Sequence, residues 1–270
     1  MMSSKPEILM CPPAHYCVNY EINPWMKTWR QPDNERAKKQ WMKLIDLYAG
    51  WGVHVHRVEP IKGLPDMVFT ANAGLVFKNK FIASNFRHFQ RRLEKGFFVE
   101  WFKERGFEVH YLPNEYYFEG QGDALFMGDT LLAGYRIRSD IQTHRLISEM
   151  IDREVISLEL THPEFYHLDT CFCPLDETHA LYYPKAFDSY AIKVMSQVVL
   201  DLIPIDEIDA RNFSCNAVVM DRKIILNQCS PKLRGKLEAL GFEVHSLAFD
   251  QFIKAGGSAK CVSLILDTDP

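Results

Sequence analysis

The alternation of apolar and polar positions along the chain repeats a pattern of one helix followed by one strand five times. Three copies carry a glycine between the two parts: GVHVHRV begins at Gly52, GFEVHYL at Gly106 and GFEVHSL at Gly241. They follow the amphipathic stretches ERAKKQWMKLIDLYAGW, GFFVEWFKER and SPKLRGKLEAL. This pattern predicts a helix that ends at a glycine in the left-handed conformation, and then a short strand. Two copies lack the glycine, IQTHRLISEMIDREVISLEL and SYAIKVMSQVVLDLIPI.

A second pattern, two apolar runs around a polar turn, recurs between the helix-and-strand units. It is present in NAGLVFKNKFIASNF, GDALFMGDTLLAGYR, LDTCFCPLDETHALYYP and CNAVVMDRKIILNQC, and GGSAKCVSLIL supplies a last strand. The pairs Lys78-Asn79, Gly128-Asp129 and Asp221-Arg222 suit the tight turns of β-hairpins.

Together the two patterns predict an α/β fold of five units that close in a ring. Repeats of this size are typical of solenoids and of radial folds, and a helix in every unit argues against an all-β propeller blade. No segment rich in Pro, Gly or Ser divides the chain, so we expect residues 1–270 to form a single domain.

Composition and charge exclude several classes of protein. The formal net charge of the 270 residues is −4, which does not favour binding to nucleic acid or to a membrane surface. No apolar run approaches the roughly 18 to 20 residues that a membrane-spanning helix needs, and the start MMSSKPEILMCPP lacks the apolar core of a signal peptide. Seven cysteines without framework spacing predict reduced thiols and a cytoplasmic location.

Chemically reactive side chains recur where the strand of one unit leads into the next hairpin. In the motifs PDMVFTANAG, YYFEGQGDALF, FYHLDTCF and GGSAKCVSL, they are Asp66, Asn72, Glu119, Asp123, His167, Asp169 and Cys261. Because equivalent positions of a closed ring converge on its axis, residues as distant in sequence as Asn72 and Cys261 are expected to face one pocket.

This set of side chains predicts covalent chemistry on a cation. A cysteine nucleophile needs a nearby histidine, which helps to form the thiolate and then moves protons. Two carboxylates in the same pocket would raise the pKa of that cysteine unless a cation lay between them. A planar guanidinium held by carboxylates meets this requirement, and Cys261 would then attack its central carbon.

The motifs INPWM, PDMVFTANAG, FEGQGDALF, FYHLDTCFCPL and GGSAKC in combination resemble the guanidino-group-modifying enzymes. This superfamily includes arginine deiminases, dimethylarginine dimethylaminohydrolases, amidinotransferases and cyanobacterial-type arginine dihydrolases. The resemblance extends from about residue 10 to residue 266. It implies a five-bladed α/β propeller, the pentein fold, which agrees with the ring that the repeats predict.

The resemblance also implies a role for each matching residue. Cys261 resembles the nucleophile, His167 the general acid and base, and Glu119 the carboxylate that holds the guanidinium. Asp169 resembles the second acid of the H-x-D motif. Arg138, in GYRIRSD, resembles the arginine that binds the α-carboxylate of the substrate, a task suited to its planar fork of donors.

Other residues are implied to bind the substrate less directly. Asp123 resembles a supporting residue or a contact to the substrate's amino group. Asn19 and Asn23, in VNYEINPWM, resemble a lid near the pocket mouth. For Phe69 and Trp25, walling the pocket and packing in the core are equally favoured interpretations.

Asn72 departs from part of the superfamily. Deiminases and dimethylarginine hydrolases carry an acid at this place, whereas the TANAG form resembles the arginine dihydrolases. An asparagine both accepts and donates hydrogen bonds, so its carbonyl oxygen is predicted to hold the neutral ureido group of citrulline as well. The sequence therefore favours two rounds of hydrolysis, from arginine to ornithine with loss of two ammonia molecules and CO₂.

Other functions stay open from the sequence. A dimethylarginine dimethylaminohydrolase or an arginine deiminase would stop at citrulline, and an amidinotransferase would pass the amidino group to an amine. A propeller that binds without catalysis is the alternative from a different class. The expected partner is a small guanidino substrate, arginine or a derivative of it, and pairing into a homodimer is open. No cofactor is expected, because the chain has no glycine-rich phosphate loop and no metal-ligand spacing.

Two groups of residues near these motifs have simpler interpretations. Cys171 and Cys173 are expected to be buried structural thiols rather than zinc ligands together with His167, because no second pair of ligands has finger spacing. Asp66 follows Pro65, and a turn former and a site residue are equally favoured interpretations for it.

Overall fold

The structure, a computed structural model, describes residues 6–266, and this part of the chain contains five three-stranded β-sheets. Residues 1–5 and 267–270 of the predicted domain lie outside the described residues. The strands are β1 (Glu7–Met10), β2 (His54–Arg57), β3 (Gly74–Phe77), β4 (Lys80–Ala83), β5 (Glu108–Tyr111), β6 (Ala124–Met127), β7 (Thr130–Tyr135), β8 (Val155–Glu159), β9 (Phe172–Pro174), β10 (His179–Tyr182), β11 (Asp201–Pro204), β12 (Val218–Met220), β13 (Lys223–Leu226), β14 (Glu243–Ser246) and β15 (Leu264–Ile265).

The helices alternate with these strands. They are α1 (Asn34–Gly50), α2 (Glu94–Glu104), α3 (Gln142–Ile151), α4 (Ser189–Val198), α5 (Glu207–Arg211), α6 (Pro231–Ala239) and α7 (Asp250–Ile253). Within residues 6–266, none of them is both long enough and apolar enough to cross a membrane.

Every sheet is built in the same way. In the first complete repeat, β3 and β4 form an antiparallel hairpin with Leu75 opposite Ile82, and β4 pairs in parallel with β5, with Ile82 opposite His110. The same order is found in β6-β7-β8, β9-β10-β11 and β12-β13-β14. The fifth sheet, β15-β1-β2, joins the last strand to the first. This pairing closes the ring of five α/β units, so the predicted fold is confirmed.

The predicted junctions between helix and strand have the backbone conformation that they require. Gly52, Gly106 and Gly241 have φ angles of 77°, 78° and 85°, in the left-handed region. In the third unit, which lacks the glycine, Asp152 ends α3 with φ 53°. Aspartate is one of the few residues with a side chain that adopts this conformation at moderate cost, which explains why that copy of the pattern is weaker in sequence.

The predicted hairpin turns are also present. Lys78, Gly128 and Asp221 connect their strand pairs with φ angles of 54°, 55° and 52°. A positive φ at the first turn residue gives the backbone twist that matches two paired strands.

The core lies between helices and sheets, and the site residues lie where the hairpins begin. Phe81 of β4 stacks on Phe102 of α2 with ring centroids 3.7 Å apart. The 3₁₀ turns Thr70–Ala73, Gly120–Gly122 and Leu168–Thr170 precede β3, β6 and β9, and the second of them contacts the other two. These contacts bring together side chains that are far apart in sequence.

Gly120 is expected to tolerate no side chain. Its φ is +60°, and a β-carbon there would lie 2.6 Å from the backbone nitrogen and oxygen of Gly74. Because backbone atoms cannot rotate away, Gly120→Ala is expected to lower the free energy of unfolding by about 2–4 kcal/mol. Gly128 is a matched control, since its φ is +55° but an added β-carbon meets nothing within 4 Å. Urea unfolding should show a loss of about 1 kcal/mol for Gly128→Ala, and equal losses in the two variants would contradict this explanation.

Candidate active site

Five residues of the predicted site line one small cavity. Its walls include Cys261, Asn72, Arg138, Asn23 and Phe69. The cavity has a volume of about 10 Å³, which is close to the minimum that one water molecule needs. Entry of a substrate therefore requires part of the wall to move.

Cys261 is fixed by hydrogen bonds to two buried side chains. Its Sγ accepts from Nδ2 of Asn216 at 3.0 Å and donates to Oδ2 of Asp169 at 3.3 Å. The side-chain Oδ1 of Asn216 accepts from the backbone N–H groups of Cys261 and Ser258. Burial, and then the negative charge of Asp169, raise the pKa of Cys261 well above its usual value. The side chain is therefore a thiol when no cation faces it.

The approach of Phe69 to Cys261 depends on a glycine. A β-carbon on Gly257 would lie 2.5 Å from the ring of Phe69 and 3.1 Å from the β-carbon of Cys261. The Gly-Gly pair of the GGSAKC motif thus leaves space for the ring to line the cavity, so the structure places Phe69 in the wall.

Glu119 is the centre of a buried network of charges. Its Oε2 accepts from Nη1 of Arg138 at 2.9 Å and lies 2.8 Å from Nε2 of His167. Because a carboxylate only accepts hydrogen bonds, Nε2 of His167 is assigned the proton. Burial opposes ionisation of Glu119, but the Arg138 charge and the His167 hydrogen bond lower its pKa below the usual value. Glu119 is therefore an anion that can hold a second cation.

Arg138 also reaches the loop that covers the cavity. Its Nη2 donates to the backbone oxygen of Ile22 at 2.8 Å, and its guanidinium lies 4.6 Å from the ring centroid of Tyr166. Asn23, the next residue of the loop, donates from Nδ2 to the oxygen of Ala255 and accepts from the N–H groups of Trp25 and Met26. A few hydrogen bonds made by the side chains of Arg138 and Asn23 thus hold this loop in place.

Asn72 presents an unpaired donor. Its Oδ1 accepts from Nη1 of Arg91 at 2.8 Å, and since arginine only donates, this contact fixes which end of the amide faces Arg91. Nδ2 is buried without a hydrogen-bond partner in the described part of the chain. The sequence interpretation assigned the carbonyl oxygen to a ureido group. In the structure that oxygen accepts from Arg91, and the group left without a partner is the amide nitrogen.

Asp66, for which the sequence left two interpretations, lies in the wall of the cavity and is 1% exposed. Its Oδ2 accepts from the hydroxyl of Tyr20 at 3.0 Å, whereas Oδ1 has no hydrogen-bond partner among residues 6–266. Burial raises the pKa of Asp66, and the charge of Arg91 opposes that rise. The free oxygen makes Asp66 a further candidate for holding a cation.

The wall of this cavity does not include six residues that the sequence interpretation considered for the site: Glu119, His167, Asp169, Asn19, Asp123 and Trp25. Asn19 is exposed on the loop, with its side chain near Cys17. Asp123 accepts from the hydroxyl of Ser139 at 2.6 Å and from the N–H of Leu168 at 3.1 Å. Trp25 is also outside the wall, because its ring packs on Phe213 with centroids 4.8 Å apart. Asp123 thus braces the segment that carries His167, and burial raises its pKa to about 6.

The sequence interpretation missed Asn216, Arg91 and Tyr166. The sequence did contain a signal for Asn216. An Asn-Ala pair directly precedes both the first and the fourth hairpin, as Asn72-Ala73 before β3 and as Asn216-Ala217 before β12. No comparable pattern marks Arg91, whose importance comes from its contacts. The two cysteines of FYHLDTCFCPL are free and buried, 0% and 3% exposed, as predicted for structural thiols.

Comparison with known proteins identifies the family. Over 268 residues the chain is 47% identical to the bifunctional arginine dihydrolase/ornithine cyclodeaminase ArgZ of Synechocystis sp., covering 97% of this chain and 38% of ArgZ. It is 37% identical to the N(G),N(G)-dimethylarginine dimethylaminohydrolase of Mycobacterium tuberculosis, covering 94% of this chain and 84% of that enzyme. The chain belongs to the guanidino-group-modifying enzymes.

A solved structure of another guanidino-group-modifying enzyme agrees with this assignment. The N-terminal domain of ArgZ, covalently bound to a reaction intermediate, superimposes with a TM-score of 0.94 at 46% identity and covers 97% of this chain and 98% of that domain. No protein-family model matches the chain. Its length corresponds to about two fifths of ArgZ, so the comparison with the whole bifunctional protein concerns one part of it only.

Proposed function

We propose that this guanidino-group-modifying enzyme is an arginine dihydrolase, which hydrolyses L-arginine to citrulline and then citrulline to ornithine, CO₂ and a second ammonia. The observation that carries the proposal is the unpaired Nδ2 of Asn72 in the cavity wall. An amide N–H can donate to the oxygen of a neutral ureido group, which an aspartate cannot do. The 47% identity to ArgZ, an arginine dihydrolase by name, supports the same reaction.

In this proposal the guanidinium of arginine lies between Glu119 and Asp169, with the free oxygen of Asp66 as a third acceptor. A substrate guanidinium on Glu119 would replace Nη1 of Arg138, which now occupies Oε2 of that carboxylate. The planar fork of Arg138 would then bind the α-carboxylate of the substrate. Since Arg138 also holds the oxygen of Ile22, binding of the carboxylate and movement of the loop over the cavity are linked.

The arriving cation would also activate the nucleophile. The charge of Asp169 helps to keep the pKa of Cys261 high, and a guanidinium beside Asp169 offsets that charge. The proton of Cys261 then passes to His167, which gives a thiolate and an imidazolium. The thiolate adds to the guanidinium carbon, His167 protonates the departing nitrogen, and ammonia leaves a covalent thiouronium.

Water completes each round. His167 takes a proton from a water molecule that adds to the thiouronium carbon, and cleavage of the C–S bond releases citrulline and the thiolate. In the second round the same steps on the ureido carbon release ammonia and form a thiocarbamate. Its hydrolysis gives the carbamate of ornithine, which decomposes to ornithine and CO₂.

The 37% identity to a dimethylarginine dimethylaminohydrolase favours a second candidate, hydrolysis of an N-methylated arginine with loss of a methylamine. Incubation with N-methylated arginine and with arginine separately distinguishes the two, because only the dihydrolase should release ornithine from arginine. The cytoplasmic location, pairing into a homodimer and a single catalytic domain stay predictions from the sequence.

Replacing Asn72 with aspartate tests the proposed function. The carboxylate of the Asn72→Asp variant would still accept from Arg91, so the fold and the first round should persist. Loss of the donor to the ureido oxygen is expected to slow ornithine formation by about 10²-fold or more, so that citrulline accumulates. Mass spectrometry of both products over time measures this change, with the exposed Asn114→Asp as a matched control. Undiminished ornithine release would contradict the proposal, and so would loss of both products at once.

A further inference from the structure

A second cavity lies on the ring axis, and among residues 6–266 its wall shares no residue with the cavity at Cys261. We call it the rear cavity and define it by Leu75, Phe126, Phe172, Met220, Ile265 and Lys260. The first five of these residues come from β3, β6, β9, β12 and β15, which supply one strand to each of the five sheets. The rear cavity has a volume of about 340 Å³, within the size range of small-molecule sites.

The walls of the rear cavity combine an apolar surface with one buried cation. Lys260 is 5% exposed, and its Nζ donates to Oε1 of Gln121 at 2.7 Å and to the oxygen of Ser263 at 3.4 Å. Within residues 6–266, no carboxylate forms an ion pair with it. The other charged wall residue, Asp221, is exposed at the turn between β12 and β13. An ammonium that has only neutral hydrogen-bond acceptors in an apolar surrounding is a site that an anion would stabilise.

Lys260 also acts on the cavity at Cys261. It precedes the nucleophile in the chain, and its charge lowers the pKa of Asp169, which burial raises. Burial lowers the pKa of Lys260 itself to about 8, although the negative charges of Asp169 and Cys261 act to raise it. One ammonium therefore influences both cavities, although their walls are separate.

We propose that the rear cavity is a binding site for a small monocarboxylate with an apolar body, and that its occupation slows the reaction of Cys261. The carboxylate would lie on Lys260 and the apolar body against the strands that form the walls. An anion bound to Lys260 would offset the positive field that favours the Cys261 thiolate. Because such coupling is reciprocal, formation of the thiolate would weaken binding of the anion by the same factor. The inference goes beyond the proposed function, because it requires no turnover of arginine.

Binding of benzoate and of benzamide to the full chain, measured by titration calorimetry, tests the site. The two probes have the same ring but differ in charge, so benzoate is expected to bind at least 10-fold more tightly. Lys260→Met should remove this preference, whereas Lys232→Met, on the surface in an ion pair with Asp206, should preserve it. Val219→Phe narrows the cavity without touching Lys260 and should weaken both probes, which keeps the test decisive if Lys260→Met does not fold.

Alkylation of Cys261 by iodoacetamide, followed by peptide mass spectrometry, tests the coupling. Saturating benzoate is expected to slow alkylation of Cys261 several-fold in the unmodified protein and to have no effect in Lys260→Met. The half-buried Cys229 is the internal control, and its alkylation rate should not change with benzoate in either protein. Absence of saturable benzoate binding would overturn the proposal. So would benzoate binding that survives both substitutions, or benzoate that competes with arginine equally well in Lys260→Met, because it would then occupy the cavity at Cys261.

Discussion

Replacing Cys261 with serine is expected to lower arginine turnover by at least about 10⁴-fold while arginine still binds. The hydroxyl of serine is a much weaker nucleophile, and the two contacts that orient Sγ would orient it in the same way. Asn216 donates to Sγ at 3.0 Å and Asp169 accepts from it at 3.3 Å. The loss should therefore fall on the chemical step and leave substrate affinity nearly unchanged.

Intact-mass spectrometry after an acid quench gives the decisive readout. The unmodified protein with L-arginine should carry an adduct with the mass of arginine less one ammonia, and Cys261→Ser should carry none. Cys229→Ser, at a half-buried thiol outside both cavities, is the matched control and should retain the adduct. Turnover by Cys261→Ser near that of the unmodified protein would show that another group attacks the substrate.

Glu119→Gln is expected to lower kcat/KM for arginine by about 10²- to 10⁴-fold. Glu119 is fully buried, and one of its oxygens serves both Arg138 and His167. A neutral amide would leave Arg138 without its anionic partner, and it would remove the charge proposed to hold the substrate guanidinium. Because the proposal gives Glu119 contact with the substrate and with the general acid, both kcat and KM should change.

Initial rates over a range of arginine concentrations separate the two effects. Glu159→Gln is the matched control, since Glu159 pairs with Arg136 at 28% side-chain exposure and lies outside the cavity. It should change kcat/KM by no more than about twofold. A Glu119→Gln protein with an unchanged KM would contradict the proposal that Glu119 binds the guanidinium.

The fold was predictable because each unit uses local signals that depend on few residues. The glycines at 52, 106 and 241 end helices through backbone conformations that few other residues adopt cheaply. The two-residue turns set the register of the hairpins in the same way. Closure of the ring by β15 beside β1 followed from the count of the units.

The site was predictable in part, for a related reason. Repetition placed Asn72, Glu119, His167 and Cys261 at the starts of their units, and the closed ring brings such positions together. Arg91 could not be predicted, because its role comes from a buried contact with Oδ1 of Asn72.

The orientation of the Asn72 amide depends on that same contact, which leaves the nitrogen without a partner, whereas the sequence interpretation used the oxygen. The pairing of Arg138 with Glu119 was hidden for a similar reason. Both contacts depend on the tertiary structure, because a polar group buried away from water forms its hydrogen bond with a partner that the fold places beside it.

The ratio of ammonia to ornithine formed from L-arginine distinguishes a dihydrolase from an enzyme that stops at citrulline. The purified protein is incubated with L-arginine in water without an added amine, and citrulline, ornithine and ammonia are followed together over time. Two ammonia molecules for each arginine consumed, with ornithine as the final product, is the result that the proposed dihydrolase predicts. One ammonia for each arginine, with citrulline that is not consumed further, would contradict it.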